Sequence, residues 1–322
     1  MSVLITGVAG FVGVNLARVL LNKGIRVCGV DNLSRGTMNN MVELFGNPLF
    51  EFQQVEITEP GALLSACAQF VKAGALTECW HLAANSDIPA GVSDAAVDLK
   101  DTFMTTFFTL EVMRQLSIPR LAFASSSAIY GDHGSTSLVE DLGPLLPISN
   151  YGAMKLASEA VISAAVESFL TQAWVFRFPN VIGVPATHGV ILDFVRKLKK
   201  SPDHLHVLGD GTQQKGYLHV DELISAMLWV HDHAREKRAV YNIGSDDNGI
   251  TVKFIAEETI RVVQPSAAIK YGHEDRGWVG DIPKFVISID KIKRLGWTAK
   301  MNSMTSAIKA ISEIYQQEID NK

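Results

Sequence analysis

Val3-Leu4-Ile5-Thr6-Gly7-Val8-Ala9-Gly10-Phe11-Val12-Gly13 opens the chain with an apolar run, a glycine turn and the start of a helical pattern. The apolar residues Val3 to Ile5 predict a buried strand, and Val12 to Leu21 predicts the helix that follows it. Glycines at 7, 10 and 13 permit a tight turn, close backbone approach to a pyrophosphate, and close packing of helix on strand. The helix N-terminus adds unpaired N–H groups and favours an anion. An ordinary strand-to-helix turn would use the same glycines, but placement within the first strand-turn-helix unit favours a dinucleotide.

Outward from this stretch, β-rich runs alternate with longer helical patterns. Strands are expected at Arg26 to Val30, Glu51 to Val55, Glu78 to Leu82, Arg120 to Ala124 and Ala173 to Phe178. Helices are expected at Ala62 to Lys72, Leu99 to Leu116 and Tyr151 to Leu170. Parallel strands need crossovers, so this alternation predicts an α/β fold: a doubly wound parallel sheet with helices on both faces. After Arg177 the elements shorten among prolines and glycines, while Val240 to Ile243 reads as a returning strand of the first sheet. The expected division is a dinucleotide-binding domain over 1–178 and 217–246, and a smaller substrate-binding region over 179–216 and 247–322.

Asp31 closes the second strand, where a carboxylate can accept both ribose hydroxyl protons of NAD and would repel the extra phosphate of NADP. The alternatives are a turn aspartate, and an Arg35 that suits NADP; NAD is favoured. Further along, Tyr151-x-x-x-Lys155 puts two side chains on one helix face. A lysine ammonium beside the phenol would favour phenolate and pull the tyrosine down from its usual value near ~10. A fall of about three units is worth roughly 4 kcal/mol and would make a proton acceptor usable near neutrality. Alone the spacing is a weak signal; the other motifs lend it weight.

The 322 residues are 47% hydrophobic and 20% charged, enough for one large or two smaller cores. A net charge of -5, with no long basic run, argues against nucleic acid as a partner. No apolar stretch reaches membrane-spanning length, and none resembles a signal peptide. Cys28, Cys67 and Cys79 form no close metal-type pair, and an odd number suits a reducing cytoplasm. His204-x-His206 and His231-x-His233 lack the companions of a metal site and are expected on the surface or in packing. No metal is expected.

At this point the chain resembles the extended short-chain dehydrogenase/reductase group of nucleotide-sugar epimerases and dehydratases. Beyond the glycine turn, the resemblance rests on Asp31-Asn32-Leu33-Ser34-Arg35-Gly36, His81-Leu82-Ala83-Ala84, Ser125-Ser126-Ser127-Ala128-Ile129-Tyr130-Gly131 and Asn150-Tyr151-Gly152-Ala153-Met154-Lys155. It continues through Arg177-Phe178-Pro179-Asn180, Gly209-Asp210-Gly211, Tyr217-Leu218-His219-Val220-Asp221 and Tyr241-Asn242-Ile243-Gly244. The resemblance implies a catalytic trio of Ser126, Tyr151 and Lys155, with Lys155 also on the nicotinamide ribose. It implies NAD contacts from Gly7, Gly10, Phe11, Val12, Gly13, Asp31, Asn32, Ser34, Glu56, Ile57, Leu82, Ala83, Ala84 and Phe178. It also implies a nucleotide-diphosphate sugar held by Ser126, Ser127, Asn180, Gly189, Val190, Val207, Lys215, Tyr217 and Arg276. The base is uridine, guanosine, cytidine or thymidine.

Three departures shape the expected reaction. Dehydratases of the group place an Asp-Glu pair after the catalytic hydroxyl residue, where this chain has Ser127 and Ala128. Ala128 cannot carry a proton, so dehydration is disfavoured. Thr102 stands where the group often has asparagine, and Lys215-Gly216 replaces the usual arginine and aspartate at the diphosphate. Lysine keeps the charge without the planar fork. The expected function is epimerisation, at sugar C4, with tightly held NAD. A net NAD(P)-dependent dehydrogenase or reductase is the enzyme alternative, and a noncatalytic NAD(H) or nucleotide-sugar sensor is the other. Thr102 to Thr109 reads as helix packing; the resemblance implies that this helix and the Tyr151 helix build a homodimer.

Overall fold

A computed structural model describes residues 2–134, 136–274 and 282–320. Arg276 lies outside the described residues. The chain divides into two compact units, one of residues 1–129, 145–177 and 228–241, the other of 130–144, 178–227 and 242–322.

The first unit is built on strands β1 (Ser2–Thr6), β2 (Arg26–Asp31), β3 (Phe50–Gln54), β4 (Glu78–His81), β5 (Arg120–Ala124), β6 (Gln172–Arg177) and β7 (Arg238–Asn242). They form one seven-stranded sheet in the order β7-β6-β5-β4-β1-β2-β3. The pairs from β6 through β3 are parallel, with Leu4 opposite Cys28 on one side and Cys79 on the other. Strands covered on both faces need apolar residues throughout, and β1, β2 and β4 are buried along almost their whole length. Val240 to Asn242 joins this sheet at its edge, as the apolar run there suggested.

Helices α1 (Phe11–Asn22), α2 (Ala62–Phe70), α3 (Ile88–Ser93), α4 (Thr105–Gln115) and α5 (Asn150–Ser168) belong to the same unit. Leu4, Cys67, Phe70, Met113, Phe123, Ile162 and Val175 share its core cluster, each leucine- or phenylalanine-sized side chain worth about 1.5–3 kcal/mol on burial. All three cysteines are buried and unpaired.

One element departs from expectation. The helix predicted to begin at Leu99 starts as a π-helical turn, Leu99–Met104, before α4. Threonine hydroxyls explain the widened turn. Thr105 and Thr106 donate to the Thr102 carbonyl at 3.0 and 3.1 Å, competing with backbone N–H groups for helix acceptors. Thr102, Thr105, Thr106 and Thr109 are buried, so their spacing does reflect packing.

The second unit has shorter elements. Asn180–Ile182 pairs in parallel with Tyr217–His219, and His204–Val207 with Ala268–Tyr271. Helices Val190–Lys200, Val252–Val263 and Ser303–Asp320 pack Val195, Leu198, Ile255 and Ile311 into one apolar cluster. Among the described residues, no helix is long and apolar enough to cross a membrane.

Candidate active site

From β1 the chain runs outward to β2 and β3, then returns to the other side of β1 as β4. That reversal opens a crevice at the carboxyl ends of β1 and β4, where ligands bind in open α/β sheets. Three loops meet there. The turn after β1 is set by Gly7 N donating to Val30 O at 2.8 Å and Gly10 N to Gly7 O at 3.1 Å. A Cβ on Gly13 would lie 2.1 Å from Gly7 O, so any side chain would push the helix off the turn. Helix α1 begins without a side-chain cap and without an acidic residue in its first turn, leaving its N-terminal N–H groups available to an anion.

The loop after β2 starts at Asp31. Its carboxylate accepts Ala9 N at 2.9 Å and Leu33 N at 2.8 Å. Burial raises its proton affinity, and the Leu33, Ala9 and Gly10 amides partly offset the rise. With three amides bound, one of the carboxylate's lone-pair sites remains for a ribose hydroxyl. Asn32 donates to Glu56 at 3.0 Å and accepts Ser34 N at 3.0 Å, tying three of the expected cofactor residues into one patch. Burial raises the Glu56 carboxyl, but its bonds from Asn32 and Thr58 and the charge of Lys100 outweigh this and hold it below its usual range. Ile57 lies behind it in the core.

The loop after β4 is pinned to the glycine turn. Leu82 N and Ala83 N donate to the Thr6 hydroxyl at 3.2 and 3.3 Å. Thr6 also bonds His81 Nδ1 at 2.7 Å, and His81 Nε2 bonds Thr106 at 3.0 Å. Burial, with the nearby Lys155 charge, pushes the His81 pKa down to about 3, so this ring is a neutral strut.

Helix α5 carries Tyr151 and Lys155. Ser149 caps it by accepting Gly152 N at 3.1 Å, a bond that fixes where the first turn begins. Ser126, half-buried just past β5, accepts Ala128 N at 3.1 Å and is bonded to the Tyr151 hydroxyl. The trio is therefore assembled, yet its electrostatics contradict the expectation from spacing. Lys155 Nζ donates to Ala124 O at 2.6 Å and stands 5.8 Å from the Tyr151 ring centre. Burial drives the Tyr151 pKa up to about 12; the Ser126 bond offsets this only in part, and Asp98 raises it further. Burial brings Lys155 down to about 7 against the opposing charges of Glu159 and Asp98. Half-buried Tyr151 and buried Lys155 thus favour their neutral forms, the reverse of a lysine-stabilised phenolate.

Several supporting residues escaped the sequence reading. Asp98 is fully buried, accepts Asn85 Nδ2 at 2.9 Å, and has its carboxyl raised first by that burial. Thr102 accepts Asn85 N at 3.2 Å, so its hydroxyl does bond the loop after β4. Glu159, one helical turn beyond Lys155, receives Arg177 in a fork at 3.0 and 2.7 Å and a bond from Ser125. The four-residue spacing from Tyr151 to Lys155 extends to Glu159 and was a usable signal.

The expected substrate residues that are described lie in the second unit, apart from Ser126 and Ser127 in the first. Val207 and Tyr217 are buried in its apolar cluster, with Val190 packed against it. Asn180 is the register partner of Tyr217, Lys215 is half-buried, and Gly189 precedes helix Val190–Lys200. Phe178 is half-buried at the start of this unit. Among the described residues no three His, Cys, Asp or Glu side chains come together to hold a metal. His204 and His206 pack edge to face at 4.6 Å, and His231 bonds Glu78 and Asp232.

The NAD-dependent epimerase/dehydratase family model matches residues 3–244. The chain belongs to this family. Among relatives of this NAD-dependent enzyme, the UDP-glucuronate 4-epimerase of Thermodesulfobacterium geofontis is 28% identical, covering 83% of this chain and 82% of its own. The dTDP-glucose 4,6-dehydratase of Neisseria gonorrhoeae is 26% identical over 100% of this chain and 96% of its own. The solved UDP-glucose 4-epimerase of Thermus thermophilus, in complex with NAD, is 25% identical with a TM-score of 0.83, covering 98% of this chain and 99% of that one. NAD is the family's cofactor, and this chain fits it through the side-chain-free turn at Gly13, the uncapped α1 and the carboxylate of Asp31 at the end of β2.

Proposed function

We propose that this enzyme is a nucleotide-sugar epimerase that inverts a sugar at C4 through a keto intermediate. The observation that carries this reading is the assembled trio followed by Ser127 and Ala128, which offer no carboxyl for removing water. The relatives include both 4-epimerases and a 4,6-dehydratase, and the absence of a carboxyl at Ser127 and Ala128 supports the first reaction in this reading.

In this reading the first unit holds NAD along the three loops, and the second holds the nucleotide sugar, with Lys215 beside its diphosphate. Bound NAD supplies a hydride acceptor and then a donor at the reacting carbon. Tyr151 takes the C4 hydroxyl proton and later returns it, while Ser126 shares the hydrogen bond and fixes the oxygen. Burial keeps the proton on Tyr151, so a cation must come nearer before it can act as a base. In its protonated form Lys155, one helical turn from Tyr151 and donating to the Ala124 carbonyl, is the group that would supply that cation by turning toward the phenol. We propose also a homodimer through α4 and α5, whose outer face exposes Phe107.

The test uses a panel of nucleotide sugars deuterated at C4, with products followed by NMR. An epimerase keeps the deuterium at C4 of the inverted product and needs no stoichiometric NAD. Labelled NADH released one for one with product overturns the reading in favour of a net dehydrogenase.

A further inference from the structure

Two loops flank the glycine turn, one leaving β2 and one leaving β4, with β1 between them in the sheet. Neighbouring strands lie about 4.8 Å apart, so a contact between these loops must cross roughly 10 Å above the turn. Arg35 and Asp87 make that contact, with Arg35 Nη2 2.7 Å from Asp87 Oδ2.

Both arms are anchored. On the β2 side, Asn40 donates to Ala9 O at 2.8 Å, and a Cβ on Gly36 would lie 2.5 Å from that same carbonyl, so the loop is pressed against the turn. On the β4 side, Asp87 N donates to Asn85 Oδ1 at 2.8 Å, and Asn85 is held in turn by buried Asp98. Asp87 divides its carboxylate between two tasks. Oδ1 accepts Ala90 N at 3.1 Å and caps α3, and Oδ2 meets Arg35.

We propose that the Arg35–Asp87 pair is a clasp that closes over the pyrophosphate of NAD and slows its escape from the glycine turn. The glycine turn is the floor, the two loops are walls, and the ion pair is the bar across the top. A dinucleotide lying on the N-terminus of α1 passes beneath this bar, so release requires the pair to open. The clasp also occupies Arg35, the cation that would otherwise be free to meet the ribose phosphate of NADP. The inference rests on NAD lying along the glycine turn, whichever reaction follows.

The side chains are 44% and 37% exposed, so the pair belongs to the weakly coupled class. Its expected effect is therefore on a rate of escape, about three- to fivefold, rather than on folding. The test loads the whole protein with NADH, chases with excess NAD, and follows the loss of bound NADH fluorescence. Arg35→Gln removes one charge; Asp87→Asn removes the other while keeping an oxygen to cap α3. Each variant should release NADH about three- to fivefold faster at low salt, the double variant no faster than either single one, and the gap to the wild type should narrow as salt screens the pair. Unchanged release in either single variant, or factors that multiply in the double, overturns the clasp. Because no sugar is present, failure here leaves the epimerase reading untouched.

Discussion

Around Gly7 to Gly13 the contacts are made by backbone amides and one carboxylate. Around Tyr151 the contacts are made by buried side chains, and the protons sit on the wrong atoms for the proposed chemistry: Tyr151 holds its proton up to about 12, and Lys155 loses its own near about 7. Both regions lie at the carboxyl ends of strands of the same sheet. A glycine turn can be set by chain geometry alone, whereas the proton affinities of a tyrosine–lysine pair depend on burial and on the charges packed around it.

The sharpest way to break this comparison is Tyr151→Phe. Turnover should fall about 10²- to 10⁴-fold while NAD affinity, measured by titration, stays at the wild-type value, since the cradle does not use the phenol. Joint loss of both would mean that the two regions are not separable.

Next in size is Glu159→Ala, which strands Arg177 in a buried site beside α5. Denaturant unfolding should show a loss of about 3–5 kcal/mol, the cost of an unpaired buried charge. A loss below ~1 kcal/mol would show that the Tyr151 helix does not lean on this pair.

On the cradle side, Gly13→Ala forces a Cβ against the Gly7 carbonyl. Overpacking of this kind costs about 1–3 kcal/mol, and the thermal stabilisation given by NAD should shrink with it. Retained stabilisation would mean that the turn tolerates a wider approach.

The smallest effect is a slope in pH. Lys155 binds its proton less tightly folded, at about 7, than at its ordinary 10.5, so above about 7 the unfolded chain holds a proton that the native one lacks. Stability should therefore rise with pH from about 7, by at most about 1.4 kcal/mol per unit from this group. The clean window ends near 9, where Cys28 and Cys67, pushed up to about 12 by burial, begin to act in the opposite direction. Lys155→Met should flatten the rise between those limits. An equal slope in the variant would place the titration elsewhere.

Strands β1, β2 and β5 were legible to within a residue, because continuous apolar runs bounded by glycine and charge have few other uses. Asp31, the glycine turn and the Tyr151–Lys155 helix were legible for the same reason: each depends on residues near one another in the chain. The π-turn at Leu99–Met104 was hidden, since its cause is a competition among threonine hydroxyls that apolar periodicity does not register. Asp98 and Asn85 were hidden too, as their partnership joins different loops.

What the chain determined by itself is therefore the layered α/β plan, the place of the glycine turn and the choice of Tyr151 and Lys155 as candidate reactive side chains, all consequences of short-range spacing and hydrophobic period. Only the tertiary structure decided where Lys155 points, that Arg35 meets Asp87 across the turn, and that Tyr151 is held protonated. These are matters of burial and of charges distant in sequence, and proton affinity follows the solvent and charges around a group rather than its neighbours along the chain.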